Sequence, residues 1–196
     1  MSNYEMDNIE ISTEKENDND KIIIKNTIAK NEYIVNVDTD ILDPNEYREV
    51  FDILRTAKRE DKIILKINSM GGYIHTMIQW VNALLYTKAK TIAEVYTAYS
   101  AASVIALSCD EIKFQHFCSM MIHNMSLDIG GKISDVEGYA KFAISQDKDI
   151  ANTIYTGFLT KEEIKKVNSG SEVWLDKNQC LSRIKNFKPI KQRLLK

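Results

Sequence analysis

Ile63-Ile64-Leu65-Lys66-Ile67 runs without a break into Asn68-Ser69-Met70-Gly71-Gly72 and then into a helical pattern. The first stretch is β-branched and largely apolar, as in a strand of a sheet buried on both faces. After the glycine pair, Ile74, Met77, Ile78, Val81 and Leu85 recur at helical spacing. A buried strand that feeds a helix constrains the fold strongly, because parallel strands need helical crossovers between them. The neighbouring segments repeat the pattern. Ile22-Ile23-Ile24, Tyr33 to Val37 and Thr91 to Tyr96 read as strands, and Glu111 to Phe114 and Met120 to His123 as two further ones. Asp43-Pro44-Asn45-Glu46 opens a helix through Tyr47, Val50, Phe51 and Leu54 to about Arg59, with Asp43 as cap and Glu46 in a capping-box position. The order predicts an α/β fold, a mainly parallel sheet with flanking helices.

The ends of the chain read differently. Residues 1–20 hold an acidic excess with few apolar side chains and read as a disordered tail, leaving one domain over 21–190. Gly130-Gly131 breaks the strand–helix pattern, and Ser134-Asp135-Val136-Glu137 is a capping-box signature for a long helix to about Tyr155. Thr160 with Glu163 caps a last helix, and the basic stretch from Lys177 reads as a solvated tail. A formal net charge of −2 argues against a nucleic-acid partner. No apolar run has membrane-spanning length, and the tail lacks the basic-then-apolar pattern of a secretory signal. Cys109, Cys118 and Cys180 show no metal-ligand spacing and read as reduced thiols of a cytoplasmic protein.

Three segments can carry chemistry. Gly71-Gly72 follows a buried strand and can present backbone N–H groups to an anion or oxyanion. It carries neither a phosphate-loop lysine nor a dinucleotide fingerprint. Tyr99-Ser100-Ala101-Ala102-Ser103-Val104 is a small-residue run after a strand, and its last serine, Ser103, is the candidate nucleophile. His123 closes the apolar run Met120-Met121-Ile122 and is placed to act as a general base. His75 is expected to face solvent, and His116 to sit partly buried between Phe114 and Phe117.

Asn68-Ser69-Met70-Gly71-Gly72, Ser100-Ala101-Ala102-Ser103-Val104 and Met121-Ile122-His123-Asn124 resemble, in that order, the glycine, serine and histidine motifs of the ClpP peptidases. Gly130-Gly131 and the helix after it resemble the handle that joins two rings in that family, here about 128–158. The resemblance covers roughly residues 30 to 185. It implies the ClpP/crotonase-type fold and a serine peptidase without metal or cofactor. Ser103 would attack, His123 would serve as base, and the N–H groups of Gly72 and Val104 would hold the oxyanion. Glu172 of Glu172-Val173-Trp174-Leu175 stands at the family's acid position, with Asp176 as the alternative. Met70 replaces a proline, Tyr99 stands where glycine is usual, and the segment from Ser103 to His123 is several residues shorter than in the bacterial enzymes.

The resemblance also implies self-assembly into rings that cleave peptides or unfolded chains. An AAA+ unfoldase is a possible partner. Tyr86 matches one aromatic of the family's docking pockets, while Ile64 and Lys66 stand where aromatics are expected. Two alternatives share the fold: a viral prohead-type processing protease that needs no ATPase, and a catalytically silent ring subunit. A crotonase acting on acyl-CoA would leave the serine and histidine unexplained.

Overall fold

The computed structural model describes residues 30–195. The expected strand at Ile22-Ile23-Ile24 and the acidic tail lie outside them. Within them the sheet has five strands that follow one another in chain order. β1 (Glu32–Val37), β2 (Lys62–Ser69), β3 (Lys90–Tyr99) and β4 (Glu111–Ile122) are parallel. β5 (Val173–Asp176) adds antiparallel to β4. The helices are α1 (Arg48–Thr56), α2 (Ile74–Tyr86), α3 (Ala101–Leu107), α4 (Ile133–Ile154), α5 (Lys161–Asn168), α6 (Lys177–Ile184) and α7 (Ile190–Leu194). This is the α/β, mainly parallel architecture expected from the strand–helix alternation.

The packing explains the alternation. On β2, Ile63, Leu65 and Ile67 are fully buried, while Ile64 and Lys66 are only half-buried. The strand therefore shows period-2 burial, not the even burial expected of it, because helices cover its two faces unequally within this chain. On α2 the buried side is Thr76, Met77, Trp80, Leu84 and Leu85. Trp80 meets Tyr47 and Phe51 edge-on at 5.5 and 5.4 Å, which ties α1 and α2 into one layer.

Several local expectations change. The first helix begins as a 3-10 turn over Pro44–Tyr47, and Asp43 makes no side-chain cap. The long helix α4 starts two residues earlier than its signature, after Lys132, and Ser134 Oγ bonds Asp135 rather than a backbone N–H. The Thr160–Glu163 capping box forms in full. Glu111 to Ile122 is one strand, but its pairing with β3 jumps from Phe114 to Ser119. The intervening residues bulge outward, which leaves Phe117 94% exposed with His116 edge-on against it, in place of a half-buried histidine.

The basic C-terminal stretch is folded, not solvated. Cys180, Phe187 and Ile190 are buried. Lys191 Nζ donates to the Thr87 carbonyl at 2.7 Å, and Arg193 donates to the carbonyls of Thr153 and Ile154. Its cations serve the orphaned ends of α2 and α4, the favourable end of a helix dipole for a positive charge.

The fold has one consequence for function. β2, β3 and β4 are parallel, so their carboxyl ends share one edge of the sheet. Gly71-Gly72, Ser100 and His123 are the residues that follow those ends. In open α/β sheets this edge is where ligands bind.

Candidate active site

β3 ends at Tyr99 and α3 begins at Ala101, so one residue must reverse the chain. That residue is Ser100, with φ 52° and ψ −123°, the one non-glycine among the described residues with positive φ. Such a conformation costs about 1–3 kcal/mol. It is held by the Ser100 N–H, which donates to the Met121 carbonyl at 2.9 Å. Ser100 Oγ lies 2.7 Å from His123 Nε2. The strain has a measurable signature. Ser100→Gly and Ser100→Ala both lack the hydroxyl, but only glycine relaxes the backbone. The glycine variant is expected to be more stable than the alanine variant by about 1 kcal/mol in urea unfolding, the reverse of the usual order.

The glycine pair abuts this elbow. A Cβ on Gly71 would lie 2.7 Å from Ser100 Cβ and 2.9 Å from the Tyr99 carbonyl. Both glycines have positive φ, 106° and 146°. Ile41 N–H donates to Gly71 O at 2.6 Å and Tyr73 N–H to Ile41 O at 2.8 Å, which fixes the turn from its far side. Neither the Gly72 nor the Ala101 N–H donates to another group among the described residues. Ala101 is the first residue of α3, where backbone N–H groups lack helical partners.

Gly72, Ser100, Ala101, His123 and Asp147 line one cavity of about 120 Å³, closed behind by Met77, Val104 and Tyr155. Asp147 comes from α4, half-buried, and its Oδ1 accepts the Met125 N–H at 3.0 Å. Burial raises its carboxyl pKa, and the Met125 bond and the charge of His123 pull it partly back. Burial pushes the Tyr155 phenol up to about 12, so it stays neutral. All three cysteines are buried, and burial holds their thiols above the ordinary range, which removes them as nucleophiles.

The structure thus brings together only part of the expected constellation. Gly72 and His123 meet at the site. Ser103 does not: it is fully buried in the first turn of α3, and its Oγ donates to the Ser100 carbonyl at 2.7 Å. The serine that reaches His123 is Ser100, three positions earlier. Val104 lines the cavity with its side chain, but its N–H is directed at the Ser100 carbonyl, so the free amide after the elbow is that of Ala101. Glu172 is exposed, and its Oε2 accepts from Trp174 Nε1 at 2.9 Å. Asp176 caps α6. Neither carboxylate bonds His123. Tyr99 causes no conflict. Its hydroxyl meets Ser119 at 2.8 Å and its ring packs edge-on against Trp174.

A family model described as Clp protease matches residues 16–183. The chain belongs to the Clp protease family. No curated protein matches it. The family match spans the sheet, the glycine turn, the elbow, His123 and α4, so the site lies wholly inside the Clp protease region. It carries the peptidase character of that family to the chain as a whole. Within this Clp protease the tandem serines of Tyr99-Ser100-Ala101-Ala102-Ser103 are equivalent as letters and differ only in conformation. The signal that separates them is the element boundary. A strand that delivers a serine straight into a helix needs an elbow at the junction residue, and that residue is Ser100.

Proposed function

We propose that this chain is a serine peptidase in which Ser100 attacks the scissile carbonyl carbon and His123 takes the hydroxyl proton. A serine hydroxyl is a weak nucleophile until an adjacent base activates it. The N–H groups of Gly72 and Ala101 then receive the developing oxyanion, each such donor being worth about 3 kcal/mol. His123 returns the proton to the leaving amine, and water hydrolyses the acyl–Ser100 ester by the same base. The observation that carries this reading is the 2.7 Å contact between His123 Nε2 and the hydroxyl of a serine held in a strained strand-to-helix elbow.

The working form is an assembly of copies of this chain enclosing the sites, with peptides or unfolded chains as substrates. Ile133, Tyr139, Phe142 and Ile144 are exposed along α4, and this apolar length supports self-association there. Two measurements test the reading. The purified protein should be many times the mass of one chain in solution and should hydrolyse unstructured fluorogenic peptides. After reaction with a fluorophosphonate probe, peptide mass mapping should place the adduct on Ser100. An adduct on Ser103, or none on a protein that cleaves peptides, would overturn the assignment.

A further inference from the structure

His123 contacts Ser100 through Nε2, which leaves the opposite ring nitrogen to face whatever charge the fold supplies. The two acids near the end of the sheet are engaged elsewhere, Glu172 by Trp174 and Asp176 by the first turn of α6. The acid that shares the cavity with His123 and Ser100 is Asp147. Its carboxylate is fixed by the Met125 N–H, two residues past His123, through Oδ1 alone. Oδ2 makes no hydrogen bond among the described residues. We propose that Asp147, delivered across the cleft from α4, is a positioning residue whose fixed negative charge faces His123 and supports its protonated form as Ser100 attacks.

This inference rests on the Ser100–His123 reading and adds to it the source of the balancing charge. The chemistry requires one. When the Ser100 proton moves to His123, an imidazolium forms beside a cavity walled by Met77, Val104 and Ile150. In such surroundings an unbalanced cation is costly, and a carboxylate on the same cavity offsets that cost. Other ionisable groups do not serve. The Tyr155 phenol on the same cavity is neutral. Lys148 and Asp149 on α4 are exposed, and Asp149 lines the neighbouring groove instead. The glycine turn and the elbow contribute no charged side chain to the cavity.

The test is the pH profile of kcat/KM for Asp147→Asn, Asp147→Glu and Glu172→Gln in the full chain. Asparagine can still accept the Met125 N–H, so this variant removes charge and keeps the bond. Expected for Asp147→Asn is a drop of about 10- to 100-fold in kcat. Its acid limb should move to lower pH, because without the carboxylate the imidazole holds its proton less tightly. Asp147→Glu restores most of the rate, and Glu172→Gln stays close to the parent. A uniform loss at every pH, with the limb unmoved, would mean that Asp147 only braces the Met125 loop and would overturn the proposal. So would a Glu172→Gln variant that shows the shifted limb in its place. The underlying reading is judged separately, by whether the unmodified chain hydrolyses peptides and is labelled at Ser100.

Discussion

Ser100→Ala is expected to abolish peptide hydrolysis and fluorophosphonate labelling, while Ser103→Ala keeps both. Removing the nucleophile of a serine peptidase costs on the order of 10⁶ in kcat, since the base and the orienting groups have nothing left to act on. Ser103 offers no substitute. Its hydroxyl is buried and committed to the Ser100 carbonyl on the inner side of the elbow. Loss of that hydrogen bond should cost about 1 kcal/mol of stability and less than tenfold in rate. Initial rates on a fluorogenic peptide, with gel fluorescence from the probe, decide between the two serines. Labelling that survives in Ser100→Ala and disappears in Ser103→Ala would reverse the assignment.

Gly71→Ala should damage both the fold and the chemistry. The added methyl would sit 2.7 Å from Ser100 Cβ and 2.9 Å from a backbone carbonyl, at φ 106°. Neither neighbour is the free end of a flexible side chain, so the elbow or the turn must move. Overpacking against backbone and the strained φ together cost about 2–5 kcal/mol. A displacement of the elbow by a fraction of an ångström is also expected to cost about 100-fold in kcat. Gly130→Ala is the control, since nothing lies within 4 Å of the position its Cβ would take. Urea unfolding and kcat, measured on both variants, should separate them clearly. Equal behaviour would mean that the glycine turn and the elbow are not in the contact described.

Much of the fold was legible in the sequence because it is written in period and punctuation. The alternation of apolar strands with amphipathic helices gave the parallel order, and the glycine, serine and histidine segments fell at the ends of three adjacent strands. The differences between the sequence reading and the structure have identifiable physical causes. Residue letters cannot separate Ser100 from Ser103, since both lie in a small-residue run. Backbone conformation separates them: Ser100 sits at the elbow and reaches His123, and in the proposed reading the oxyanion donor moves with it from Val104 to Ala101. The short segment between Ser103 and His123 was the available hint, because an elbow three residues earlier lengthens it. Asp147 was invisible for a different reason. It reaches the cavity from α4, and nothing local in the sequence says which turn of a long helix will face His123. The cationic C-terminal stretch read as solvent-exposed because its targets, carbonyls at the ends of α2 and α4, carry no sequence signal of their own.

The strained elbow also shapes how this protein would lose the proposed activity over generations. Strained active-site residues are commonly kept at some expense to the fold, so their replacement can stabilise a chain. At Ser100 a change to glycine would relieve the backbone and, with Ser100 as the proposed nucleophile, silence the site in one step. Copies that persist only for their place in an assembly therefore have an easy mutational exit from catalysis. On the proposed reading, a serine kept at this position is a mark of selection for hydrolysis itself.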